Sequence, residues 1–160
     1  MTFEPIGVVC SAHVHAKGTP IQPCFAQGCP GRIELRPELA GGLRDLDGFE
    51  RIWVLYLLDR TAFRDLQVLP YRDIRTHGIF ATRAPARPNP IGLSCVRLKG
   101  IRGHILDIED VDILDGTPVL DIKPYIPEYD AYPKAKAGWV EAESVRQGPK
   151  VADERFEVEP

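Results

Sequence analysis

Residues 80–94 read Phe80-Ala81-Thr82-Arg83-Ala84-Pro85-Ala86-Arg87-Pro88-Asn89-Pro90-Ile91-Gly92-Leu93-Ser94. Three prolines stiffen this stretch before any ligand arrives, which lowers the entropy lost on binding. Arg83 and Arg87 put two planar, multi-donor guanidinium forks on it, suited to a carboxylate or a phosphate. Gly92 lets a backbone or a ligand come close. The same residues also suit a rigid crossover whose arginines pair with acidic neighbours. A second stretch runs Asp115-Gly116-Thr117-Pro118-Val119-Leu120-Asp121-Ile122-Lys123-Pro124-Tyr125. Its first four residues offer a carboxylate, a hydroxyl and turn backbone groups to a polar ligand, or form a turn and nothing more. Alternate residues of a strand share a face. Asp121, Lys123 and Tyr125 therefore make one polar row, with Leu120 and Ile122 opposite. The row is either the wall of a polar site or a structural ion pair with a rim tyrosine. His13, His15, Cys24 and Cys29 are zinc-ligand types, but their spacing matches no standard zinc pattern, and no metal is expected. Trp139 and Tyr132 can stack on a base or anchor a docked C-terminal segment.

Strands and turns must position these residues. Ile6–Cys10 reads as a short strand, 16–31 as an irregular Pro- and Gly-rich loop, and Arg32–Leu35 as another strand. Pro37–Leu46 reads as a helix with proline in its first turn, weakened by Gly41-Gly42. Arg51–Leu58, apolar on both faces, is expected at the centre of a sheet. Gly78–Thr82, Ile91–Leu98, His104–Ile113 and Val119–Tyr125 complete about seven strands at short spacing. The apolar phase in His104–Ile113 changes from even (Leu106, Ile108) to odd (Val111, Ile113), which predicts a β-bulge near Glu109-Asp110. The prolines of 84–90 exclude a helix or a central strand there. The expected fold is mainly β: one closed or nearly closed antiparallel barrel with one or two short helices. A single domain over 1–160 is expected, with a core at 5–130 and a C-terminal extension at 131–160 in which Trp139-Val140 docks back.

The 160 residues are 44% hydrophobic and 27% charged, as in ordinary globular proteins. Fifteen prolines and 14 glycines exclude a helix bundle. The longest apolar run, around Trp53–Leu58, falls far short of the ~20 residues of a membrane span. No basic region precedes an apolar stretch at the N-terminus. Four cysteines are too few for a secreted disulfide framework, so a cytoplasmic protein with reduced thiols is expected. The net charge of −3 conceals a basic stretch beside an acidic one. Arg72–Gly103 holds seven basic residues and one acid; His104–Asp121 holds six acids and no Lys or Arg. These either neutralise each other as solvated faces or mark a contact with an anionic partner.

The two long motifs, extended by Gly78-Ile79 ahead of Phe80, resemble those of the TsaA-like (TrmO) family of β-barrel methyltransferases. Pro5-Ile6-Gly7, Pro20-Ile21-Gln22-Pro23 and Leu46-Asp47-Gly48-Phe49 support the resemblance, which runs in the family's order over about residues 5–130. It implies binding of S-adenosyl-L-methionine in a barrel and methyl transfer to N6 of a threonylcarbamoylated adenosine beside the tRNA anticodon. It also implies a homodimer with the cofactor site near the subunit contact. Residue by residue it implies cofactor contacts at Gln22, Pro23, Asp59, Arg60, Arg83, Leu93, Asp115, Gly116, Thr117 and Pro118. Asp121, Lys123, Tyr125 and Asn89 are the expected catalytic residues, with Asp121 accepting the N6 proton. The chain departs from the family's usual residues at Ile21, Glu50-Arg51 and Asp59-Arg60. Two other readings stay open: a non-catalytic barrel binding anions or RNA through Arg83–Arg102, and a methyltransferase acting on a small molecule.

Overall fold

The computed structural model describes residues 2–157; Met1 and residues 158–160, the ends of the expected domain, lie outside them. Its strands are β1 (Gly7–Ser11), β2 (Pro30–Leu35), β3 (Arg51–Leu57), β4 (Gln67–Val68), β5 (His77–Gly78), β6 (Ile91–Arg102), β7 (Ile105–Glu109) and β8 (Pro118–Pro124). Two single-turn helices, α1 (Pro127–Asp130) and α2 (Glu143–Arg146), follow. Six strands close an antiparallel barrel in the order β1-β2-β7-β6-β3-β8, and β4 and β5 form a separate small sheet. Gly7 opposite Val119 closes the ring. Alternation aims one face of every strand inward, so Val9, Ile33, Ile52, Val54, Val96, Leu106 and Val119 have no exposed surface. Each such side chain contributes roughly 1.5–3 kcal/mol.

The expected barrel is therefore present, with six strands where about seven were expected. β3 is central, paired with β6 on one side and β8 on the other. Gly78–Thr82 is not a strand: pairing ends at Gly78, and Ile79–Ala81 turns into a 3-10 helix. Pro37–Leu46 forms no α-helix either; Pro37–Leu43 is a 3-10 segment, as the paired glycines disfavour a longer helix. β6 runs on to Arg102 and turns through Gly103 (φ 63°) into β7.

The phase change in 104–113 is real but has another origin. Asp110 leaves the strand in the left-handed region (φ 65°), while Leu106, Ile108, Val111 and Ile113 all remain buried. The irregular pairing of this hairpin lies on β6, between Leu98 and Gly100. β8 also shifts register, so that Tyr56 faces Val119 and Leu55 faces Asp121. Val119, not Leu120, consequently fills the core; Ile122 packs against it as expected.

The C-terminal segment docks back on the barrel. The Trp139 indole N–H donates to the Ala81 carbonyl at 2.8 Å and its ring stacks on His77 at 4.2 Å. Val145 is buried, and Val151 bridges to Pro20. The basic and acidic stretches partly neutralise each other: Arg97 and Lys99 reach Glu109 at 3.8 and 3.6 Å, and Arg102 meets Asp107 at 2.9 Å. Among the described residues, no helix is long and apolar enough to cross a membrane.

Candidate active site

The proline-rich loop 79–90 is held by one of its own arginines. Arg87 Nη1 donates to the carbonyls of Ile79, Thr82 and Ala84 at 3.1, 2.8 and 3.4 Å. Such charge-assisted bonds fix the loop from inside. Arg87 is thereby a structural clamp. Arg83 is the exposed one, and its Nη1 donates to Gln22 Oε1 at 2.6 Å. Gln22 comes from the β1–β2 loop, so this bond ties the two loops together. Arg60, just beyond β3, donates to the Asp115 carbonyl and lies against Gly116 (φ 75°).

These loops, the ends of β3 and β6, and the docked C-terminal segment enclose a cleft of about 1270 Å³. Small-ligand sites span ~300–1,000 Å³, so a cofactor and part of an acceptor fit together. Its floor is a polar chain on the inward face of the barrel. The Tyr56 hydroxyl lies 3.1 Å from Ser94 Oγ, and Ser94 donates to Asp112 Oδ1 at 2.7 Å. Tyr56 sits directly opposite Gly92, where any Cβ would overlap its ring. Glycine is what lets the tyrosine reach Ser94. Burial pushes the Asp112 carboxyl up to about 7, against the Ser94 hydroxyl, its own backbone N–H and the Arg83 charge, which all favour the carboxylate. Burial, with the Asp112 charge second, also raises the Tyr56 phenol.

Of the expected cofactor residues, Gln22, Asp59, Arg60, Arg83, Leu93 and Thr117 line this cleft. Pro23, Asp115, Gly116 and Pro118 flank these but do not line it. Asp115 instead accepts the Ser11 N–H at 3.0 Å and fixes its turn to β1. The expected catalytic residues are elsewhere. Asp121, Lys123 and Tyr125 do share a face, but it is the outer face of the barrel. Asp121 and Lys123 lie opposite Leu55 and Trp53, and Tyr125 packs edge-on against Trp53. Alternation decides this, since Ile52 and Val54 take the inward positions. Asn89 is exposed and outside the cleft lining.

The Asp121–Lys123 pair (2.7 Å) is also not buried, with side chains 46% and 63% exposed. Exposed pairs contribute about 0–1 kcal/mol. Asp121→Asn is therefore expected to change unfolding free energy by less than about 1 kcal/mol, measured by urea denaturation.

Sequence reading missed Asp112, Ser94 and Tyr56. The available signal was an acid, Asp112, flanked by two core residues, Val111 and Ile113. Among the described residues, no three His, Cys, Asp or Glu side chains are grouped to hold a metal ion, and the four cysteines are free. His13 Nε2 lies 2.9 Å from the Val111 carbonyl.

Residues 8–131 match the tRNA-methyltransferase O N-terminal domain. A probable S-adenosyl-L-methionine-binding protein of Pyrococcus abyssi is 50% identical over 139 residues, 87% of this chain and 76% of the relative. The tRNA (adenine(37)-N6)-methyltransferase of Escherichia coli is 36% identical over 150 residues, 88% of this chain and 64% of the relative. A crystal structure of TrmO from Pseudomonas aeruginosa matches with a TM-score of 0.74 at 37% identity, covering 87% of this chain and 62% of that one. The chain thus spans less than two thirds of the length of the last two. The matched span runs from β1 through α1 and contains both motif segments that build the cleft and its rim; the chain belongs to the tRNA-methyltransferase O N-terminal domain family.

Proposed function

We propose that the chain is an S-adenosyl-L-methionine-dependent methyltransferase that acts on tRNA, at N6 of a threonylcarbamoylated adenosine beside the anticodon. The observation that carries this reading is the charge pattern of one cleft. An exposed guanidinium, Arg83, is braced by Gln22 on one side, and a carboxylate, Asp112, is held by Ser94 at the floor. S-adenosyl-L-methionine is itself a carboxylate, a sulfonium cation and an adenine. Arg83 suits the carboxylate. Asp59 and Asp112 suit the cation, and Leu93, Ile113 and Leu114 offer apolar surface to the base. When bound, this molecule supplies an electrophilic methyl group. The chain's part is to align the acceptor nitrogen, which supplies much of the rate in an in-line displacement. The name of the E. coli relative supports methyl transfer to a tRNA adenine, and that of the P. abyssi relative supports binding of S-adenosyl-L-methionine.

The ion pairing of Arg97, Lys99 and Arg102 weighs against a barrel that binds anions through the whole Arg83–Arg102 stretch. Cytoplasmic location and a homodimer belong to the proposal; light scattering at micromolar concentration is expected to report twice the mass of one chain. The deciding experiments are calorimetric titration with S-adenosyl-L-methionine and nucleoside mass spectrometry of tRNA from a strain lacking the protein. Stoichiometric binding and loss of one methylated adenosine are expected. Binding without any change in tRNA would point to a small-molecule acceptor.

A further inference from the structure

We propose that the Asp112 carboxylate, presented by Ser94 and Tyr56 at the floor of the cleft, accepts the proton released by the acceptor nitrogen during methyl transfer. This rests on the function proposed above and assigns the proton acceptor that Asp121, on the outer face of the barrel, is badly placed to be. An amide-like N6–H is not basic. Its nitrogen must lose a proton as it gains a methyl group. The balance is closed: nitrogen forms a bond to the methyl carbon, the carbon–sulfur bond leaves its electron pair on sulfur, and the N–H proton passes to Asp112. The neutral carboxyl then returns it to solvent through the open cleft.

Three observations converge on this residue. Asp112 lines the cleft, whereas the expected catalytic row does not. Its geometry is fixed from outside: Ser94, 1% exposed, donates to Oδ1 at 2.7 Å, and Tyr56 stands behind Ser94 at 3.1 Å. That leaves Oδ2 without a side-chain partner among the described residues. Finally, the carboxyl is raised to about 7 by burial, and a general base works best with a value near the operating pH. The titratable and charged groups around it are Tyr56 from β3 and Arg83 from the proline-rich loop. His15, Asp59, Arg60, Tyr71, Arg72, Arg87 and Glu157 line the rest of the cleft. Ser94 and Tyr56 are positioning residues, since they act through Asp112.

The test uses the full chain and has two readouts. The first needs no methyl donor: carbon-13 NMR of aspartate-labelled protein, with Asp112→Asn to assign the resonance, is expected to show Asp112 titrating near pH 7. The second is single-turnover methylation of tRNA. The wild-type rate should rise with pH and level off above about 7, because the ionised form accepts the proton. Asp112→Asn keeps an acceptor for Ser94 and, with S-adenosyl-L-methionine at saturation, should turn over about 10²- to 10⁴-fold more slowly. Ser94→Ala removes a bond that favours the carboxylate, so its pH limb should move to higher pH, which a purely structural role would not do. An Asp112 resonance titrating in the ordinary carboxylate range, or Asp112→Asn with wild-type turnover and pH profile, overturns the proposal. Wild-type protein that neither binds the donor nor methylates tRNA overturns the proposed function, and this assignment with it. The two failures are therefore distinct.

Discussion

Asp110→Ala is expected to lower the unfolding free energy by about 4 kcal/mol at pH 7 and to blunt methyl transfer with it. Asp110 sits at φ 65° where β7 ends, nine-tenths out of solvent. Its Oδ1 accepts the Gly28 N–H at 3.0 Å and its Oδ2 accepts Arg51 Nη2 at 2.8 Å. One carboxylate thus joins the 16–31 loop, the start of β3 and the chain that descends to Asp112. Breaking a buried pair costs ~3–5 kcal/mol. The lower end applies, because Arg51 keeps 30% exposure. Alanine in the left-handed region adds ~1 kcal/mol. Asp110→Asn tolerates that backbone and keeps an acceptor for Gly28, so it should fall between wild type and alanine. Burial opposes ionisation of Asp110, yet the Gly28 N–H and the Arg51 guanidinium hold its carboxyl below the usual range. A lowered folded value means stabilisation that is complete above the ordinary carboxylate value and lost as pH falls through the folded one. The gap between wild type and Asp110→Ala should therefore shrink below about pH 4. Urea denaturation of the three proteins at pH 7 and pH 3 measures this; equal midpoints at pH 7 would reject the role.

Arg83→Ala is expected to weaken S-adenosyl-L-methionine binding roughly 10- to 150-fold while leaving the melting temperature unchanged. The range follows from ~1.5–3 kcal/mol for a hydrogen bond to a charged group. Stability should hold because Arg83 is exposed and, among the described residues, its side chain bonds Gln22 alone, whereas the loop's internal clamp is Arg87. Arg87→Ala should do the reverse and loosen the loop. Calorimetric titration beside thermal unfolding separates the two arginines. Unchanged affinity in Arg83→Ala would remove it from the cofactor site. The substitution carries a second signature: Arg83 favours the ionised form of Asp112, so its loss should move the Asp112 titration above about 7.

The two arginines show how far the sequence was legible. Types and spacing identified a stiff loop with two guanidinium forks, but neither arginine pairs with an acid: Arg87 bonds three backbone carbonyls and Arg83 bonds Gln22. Arg83 faces the cleft; Arg87 is consumed by three carbonyls. Nothing in the spacing separates them, because which side chain turns inward depends on the path of the loop. The polar row of β8 shows the same limit. Period-two alternation correctly placed Asp121, Lys123 and Tyr125 on one face. It carries no sign, and the register of β8 against β3 made that face the outside.

By itself, the sequence determined the architecture and the chemistry of the region. Short β-rich runs between turn residues require an antiparallel sheet, the prolines of 84–90 require an irregular loop, and the motifs carry the family. Those signals are local, written in propensity, alternation and residue order. Only the tertiary structure decided which groups meet. Tyr56, Ser94 and Asp112 come from β3, β6 and the segment after β7, separated by 38 and 18 residues. No periodicity links such distances. Closure of the barrel brings them together, the absence of a Cβ at Gly92 lets Tyr56 reach Ser94, and the left-handed turn at Asp110 sends Asp112 to the cleft. Burial then changes what the carboxyl can do: the same aspartate exposed on a loop would stay ionised and a poor base at neutral pH.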